Sequence, residues 1–216
     1  MPCQLWSLWI ITLDTKRKSE ITMKKIKTIG VSGEAGSFSE EAALFYMQKI
    51  GLQYSIIYLL DMKGVLQAVQ DKKINIGIFP VANLVGGLVK PAFEAMGEYL
   101  FTPIDELWLQ VDQCLLVKPG TRITDIKKII SHSQALLQCK QYLKNTFKNA
   151  ELVEWIDTAK AAHDLSIGKL ASSIAVIASA QCAKIYHLEI IEQDIQDGHP
   201  NLTAFIIAKN RNDIDI

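Results

Sequence analysis

The chain has 216 residues, 49% of them apolar and 21% charged; this composition supports a buried core and excludes intrinsic disorder. Lys plus Arg and Asp plus Glu each number 23, so the formal net charge is zero, which argues against a nucleic-acid partner and against a polybasic membrane-surface face. The length fits one ordinary domain or two small lobes on one chain.

The first apolar run, residues 5–13 with Ser7 inside it, is too short for the roughly 20 residues a membrane span needs. The basic cluster Lys16-Arg17-Lys18 follows that run instead of preceding it, so the segment does not read as an export signal. Met23-Lys24-Lys25 looks like an ordinary protein start. Residues 1–22 are therefore expected to be an extension outside the fold, 23–210 the folded unit and 211–216 a tail.

Short strands rich in Ile and Val then alternate with helical stretches. Strands are expected at 26–31, 54–60, 74–79, 107–117, 128–131, 151–156, 174–178, 188–192 and 203–209. Helices are expected at 39–50, 63–70, 90–99, 134–147, 159–167 and 179–186; in the first, Ala42, Ala43, Tyr46, Met47 and Ile50 recur at helical spacing. This alternation predicts an α/β fold with mainly parallel sheets and helices on both faces. Cys3, Cys114, Cys139 and Cys182 form no Cys-x-x-Cys pair and read as reduced, mostly buried thiols of a cytoplasmic protein. Trp108 and Trp155 read as core or interface residues.

Three strand-to-helix junctions carry capping signals: Ser37-x-x-Glu40, Ser131-x-x-Gln134 and Asp157-Thr158. Helix N-termini attract anions, and in open α/β sheets ligands bind at the carboxyl ends of strands. A small anionic ligand such as a carboxylate follows. No phosphate-binding loop, dinucleotide fingerprint or Gly-x-Ser-x-Gly elbow occurs, and His132, His163, His187 and His199 lack metal-ligand spacing. No cofactor or metal is expected.

Five segments, in order, resemble the prephenate dehydratase family: 33–43 with Gly33, Gly36, Ser37, Phe38 and Ser39; Pro80-Val81-Ala82-Asn83; 131–139 with Ser131, His132, Gln134, Gln138 and Cys139; Asp157-Thr158-Ala159-Lys160-Ala161-Ala162; and Asn201-Leu202-Thr203-Ala204-Phe205. The resemblance implies two α/β lobes with a cleft between them, like the cleft of periplasmic binding proteins. It implies conversion of prephenate to phenylpyruvate with loss of water and carbon dioxide, a lyase step toward phenylalanine, without metal or cofactor. It gives Thr203 the hydroxyl-donor role and places Asn83, Ser131, Gln134, Thr158, Phe205, Ser37 and Phe38 around the substrate. It also implies a homodimer or higher oligomer.

Departures from the pattern cluster at two motifs. Ala204 stands where the family has arginine; Ala82, Leu84, Gly86 and Leu88 stand for Glu, Ser, Glu and Ser/Thr. An arginine suits a substrate carboxylate, so its loss is expected to cost a factor of roughly 100 in rate unless Lys90 or Arg122 compensates. Two alternatives follow: a diverged prephenate lyase such as a decarboxylase, or a non-catalytic ligand-binding or regulatory module on the same scaffold. The chain ends soon after Thr203, so phenylalanine feedback through a C-terminal ACT domain is not expected.

Overall fold

The computed structural model of the chain describes residues 27–213; the expected extension at 1–22 lies outside them. Two mixed sheets form two lobes. The first contains β1 (Thr28–Ser32), β2 (Ser55–Leu59), β3 (Ile76–Asn83), β5 (Thr102–Gln110) and β11 (Leu202–Lys209), in the order β2-β1-β3-β11-β5, with the two-residue β4 (Gly87–Leu88) added to β3. The second contains β6 (Cys114–Val117), β7 (Lys128–Ser131), β8 (Glu151–Glu154), β9 (Ile174–Ala178) and β10 (Glu189–Glu192), in the order β10-β6-β9-β7-β8.

The sheets are less parallel than expected. β1 runs parallel to β2 and β3, and β7 parallel to β8 and β9, but β11 is antiparallel to β3 and β5, and β6 to β9 and β10. The cause is the chain path. The chain leaves the first lobe after β5, builds the second, and returns as β11 from the cleft end. β3 runs toward the cleft, so β11 must run away from it. The expected strand at 107–117 is for the same reason two strands in different sheets, with Val111, Asp112 and Gln113 crossing between lobes.

Helices cover both faces of each sheet. In the first lobe, α1 (Phe38–Ile50) packs over Val31, Ile78, Phe205 and Ile207, while α2 (Met62–Gln70) and α3 (Lys90–Glu98) cover Phe79 and Ala208. In the second, α6 (Thr158–Ser166) and α7 (Ala180–Tyr186) bury Leu116, Ile130 and Val176; α4 (Ser133–Gln138) and α5 (Lys140–Thr146) bury Leu115, Ile129 and Ile177. Strand alternation sends successive residues to opposite faces, and each fully buried Ile or Leu contributes about 1.5–3 kcal/mol. The helix expected at 134–147 breaks at Cys139, because Asp197 accepts hydrogen bonds from Gln141 N (2.7 Å) and Tyr142 N (3.0 Å) and so caps a new start. Cys114, Cys139 and Cys182 are buried free thiols, whereas Trp108 is 49% exposed on β5, not core.

Four helices begin at the cleft. Ser37 Oγ accepts from Glu40 N (3.2 Å), Asp61 Oδ1 from Gly64 N (2.8 Å), and Asp157 Oδ1 from Lys160 N (2.8 Å). At α4 the cap is His132, whose Nδ1 accepts from Gln134 N (3.3 Å), not Ser131. Ser131 is fully buried and donates sideways to the Ile177 carbonyl of β9 (2.6 Å). The second lobe also grips the loop ahead of α1: Ser179 Oγ donates to Gly36 O (2.6 Å) and Tyr186 OH to Ala35 O (2.8 Å). Gly36 has φ 85°, and a Cβ there would lie 2.8 Å from Cys182 Sγ, so the grip requires glycine.

Candidate active site

A cavity of about 320 Å³ lies between the lobes and is lined from both. The N-termini of α1, α2, α4 and α6 converge on it through Ser37, Asp61, His132 and Thr158. The first turn of a helix leaves N–H groups without intrahelical partners, and the aligned peptide dipoles add partial positive charge there. No lysine or arginine is among the lining side chains; Asp61 and Asp157 already cap two of these ends, so the ends of α1 and α4 are the ones that offer partial positive charge to a ligand carboxylate. Phe205, Phe38, Pro80, Pro91 and Ile156 supply apolar walls for a ring.

On the floor, Thr203 faces Asn83 across the β11–β3 ladder. Asn83 Oδ1 accepts from the backbone N–H of Val85 (2.9 Å) and Gly86 (2.6 Å). Its amide nitrogen must then point the other way, and it donates to Asn201 Oδ1 (2.7 Å) and Thr203 Oγ1 (2.9 Å). Thr203 Oγ1 is thereby an acceptor toward the protein, and its own proton has no acceptor among the described residues. It is free to donate into the cavity. The arrangement is a directed hydroxyl donor in a nearly dry floor, with Asn83 5% and Thr203 6% exposed.

Over residues 29–213 the chain matches the family described as prephenate dehydratase. It belongs to that family. It is 33% identical over 180 residues to arogenate dehydratase/prephenate dehydratase 1 of Arabidopsis thaliana, covering 83% of this chain and 44% of that protein. It is 26% identical over 195 residues to a bifunctional chorismate mutase/prephenate dehydratase of Buchnera aphidicola, covering 90% and 52%. The chain thus spans about half the length of these relatives. Prephenate dehydratase from Arthrobacter aurescens, solved in complex with L-Phe, superimposes with a TM-score of 0.73 at 26% identity, covering 85% of this chain and 60% of that one. A nutrient-binding protein from Burkholderia cenocepacia shares the two-lobed fold, with a TM-score of 0.51 at 14% identity over 87% and 86% of the chains.

Of the residues that the prephenate dehydratase resemblance placed at the site, Thr203, Asn83, Gln134, Thr158, Phe205, Ser37 and Phe38 all line the cavity. Ser131 does not; its hydroxyl is committed to β9. Ala204 also faces away, between cavity-lining Thr203 and Phe205, because strand alternation turns it to the opposite face. A side chain at position 204 therefore starts on the face away from the cavity lining. Lys90 and Arg122 do not line the cavity either, and Arg122 is paired with Asp125 (3.0 Å).

Three participants were not placed at the site from sequence: Gln138, Gln113 and Asn201. Gln138 lies one helical turn beyond Gln134, a spacing that marks it as a neighbour. Gln138 Oε1 accepts from Asn201 Nδ2 and from Gln113 Nε2, both at 3.0 Å.

Two titratable groups border the cavity. Burial lowers His132 from 6.5, against the pull of Asp157 and Glu154, which keeps Nδ1 available as the cap acceptor. Burial raises Asp157, opposed by the N–H groups of Lys160 and Glu34. Among the described residues no group of three His, Cys, Asp or Glu converges as metal ligands.

Proposed function

We propose that the chain is a prephenate dehydratase. The reading rests on the Thr203 proton, which Asn83 turns into the cavity. In the reaction the ring C–O bond breaks and the ring carboxylate leaves as carbon dioxide. Its electron pair enters the ring, and the departing oxygen becomes water with a proton taken from solution. Aromatisation provides the driving force. The protein must stabilise charge on the leaving oxygen and hold the carboxylates in line. Thr203 O–H does the first as a fixed donor, and the converging helix N-termini do the second. Threonine is too weak an acid for full proton transfer, so its role is a hydrogen bond that strengthens as the C–O bond breaks.

Incubation of the full chain with prephenate at neutral pH tests the reading. Phenylpyruvate should form and should depend on Thr203. Consumption of prephenate without phenylpyruvate would establish a diverged lyase instead, and unchanged prephenate would mean either a binding module or a cleft tuned to another ring acid.

The buried free thiols of Cys114, Cys139 and Cys182 fit a reducing, cytoplasmic compartment. The exposed apolar side chains Leu84, Leu88 and Trp108 fit a homodimer; sedimentation of the full chain at rising concentration tests that assembly.

A further inference from the structure

A chain of buried side-chain amides runs under the cleft, and backbone groups fix its polarity. Asn83 Oδ1 is held by two backbone N–H donors, so Asn83 presents its nitrogen to Asn201. Asn201 must present Oδ1 there, and its nitrogen donates to the Val111 carbonyl (2.8 Å) and to Gln138 Oε1 (3.0 Å). Gln138 Oε1 is thus an acceptor, and Gln113 must meet it with Nε2 (3.0 Å). Turning over any one of these amides sets oxygen against oxygen or N–H against N–H. The last atom of the chain, Gln113 Oε1, is therefore an acceptor. It is buried without a hydrogen-bond partner on a side chain that is 2% exposed and lines the cavity. A buried acceptor is costly to leave unpaired.

We infer that Gln113 Oε1 accepts a hydrogen bond from an α-ammonium group on the substrate, so that Gln113 selects the amino-acid form of the ring acid over the keto-acid form. The inference rests on the dehydratase reading and deepens it. The two forms, arogenate and prephenate, differ only in this side-arm group. The ring hydroxyl common to both is the group Thr203 addresses, so it gives no discrimination. A keto oxygen would set acceptor against acceptor at Gln113. An ammonium supplies donors, and the charged side chains lining the cavity, Asp61 and Asp157, are both acidic, so it meets no like charge. The amino group is unchanged in the reaction. The C–O and C–carboxylate bonds break as in the keto form, and phenylalanine, water and carbon dioxide result.

The test measures kcat/KM of the full chain for each substrate, as phenylalanine from arogenate and phenylpyruvate from prephenate. Arogenate should be preferred by at least about tenfold. Gln113→Met should erase most of that preference through a higher KM for arogenate, and a far-UV circular dichroism spectrum and melting temperature close to those of the wild type show that the variant is folded. Calorimetric titration of the wild-type chain with L-phenylalanine and with phenylpyruvate reads the same contact without catalysis and without the variant. A wild-type preference for prephenate, an unchanged ratio in Gln113→Met, or phenylpyruvate binding as tight as that of phenylalanine would each overturn the inference. If neither substrate is turned over, the dehydratase reading fails, while the titration still decides whether the cavity selects the ammonium form.

Discussion

Ala82 and Ala204 face each other across the β3–β11 ladder. They form the middle of a row that runs Leu88, Ala82, Ala204, Trp108 over four adjacent strands, on the face turned away from the cavity. The family pattern sets glutamate and arginine at these two opposed positions. On this register such residues would pair with each other across the strands. On this register the two departures form one paired exchange, two methyl groups in place of a cross-strand glutamate and arginine.

Restoring both charges should therefore affect stability and not catalysis. Ala204→Arg alone should lower the melting temperature, because it buries an unpaired guanidinium. Adding Ala82→Glu should recover it, with a coupling of about 0.2–1 kcal/mol in a double-mutant cycle. Values of kcat/KM should stay within about twofold throughout. A large loss of activity in the double variant would return this position to the substrate.

Thr203→Val keeps the shape of the side chain and removes the donor. We expect kcat to fall by about 10²–10³ with KM little changed, since the hydrogen bond strengthens only as the C–O bond breaks. Thr203→Ser should retain most of the rate. Steady-state kinetics on prephenate and arogenate decide the matter.

Asn83→Asp should inactivate the protein while Thr203 remains in place. The new oxygen would sit beside Thr203 Oγ1 and Asn201 Oδ1, where a nitrogen now donates. The Thr203 proton would then turn to the introduced carboxylate, and Asn201 cannot rotate to compensate because its nitrogen is held by the Val111 carbonyl. The fall in kcat should approach that of Thr203→Val. Full activity in this variant would remove the argument for a directed proton.

Asp164 provides a pH-dependent test of stability. Burial favours its neutral form, but hydrogen bonds from Lys169 (3.0 Å) and Trp155 (3.1 Å), with Lys160 alongside, outweigh this and hold its carboxyl below 3.8. A carboxylate depressed on folding stabilises above its unfolded value, and the contribution disappears as pH falls through the folded value. Asp164→Asn should cost on the order of 1–3 kcal/mol at neutral pH, toward the lower end because both lysines reach solvent. The gap between the two melting curves should narrow below 3.8 and be constant above it.

Much of the site was readable because its residues sit in local motifs whose geometry is also local. Ser37 and Asp157 cap helices from positions that capping patterns predict, and Thr158, Gln134 and Phe38 follow within one turn. Ser131 shows where this fails. A serine before a helix looks the same whether its hydroxyl turns forward to the helix or sideways to a neighbouring carbonyl, and here Ile177 on β9 takes it. Gln113 gave no signal at all. It lies in the mixed stretch Gln110-Val111-Asp112-Gln113 between two apolar strands, and its partners Gln138 and Gln196 are 25 and 83 residues away. Ala204 poses a related problem. A motif lists neighbours in order, but only the pleat decides which of them share a face.

The path of the chain has a consequence for biosynthesis. β11 lies between β3 and β5, yet of the strands in these two sheets it is the last to leave the ribosome, after the whole second lobe. Until it arrives, the first sheet lacks an inner strand, and β3 and β5 present unpaired edges to each other. The same strand carries Thr203 and Phe205. A nascent chain can thus complete one lobe early, but it acquires its reactive hydroxyl and closes the other lobe in a single late event. Chains released before that point would be inactive and edge-exposed together, so quality control that recognises open strand edges would also remove every copy without the site.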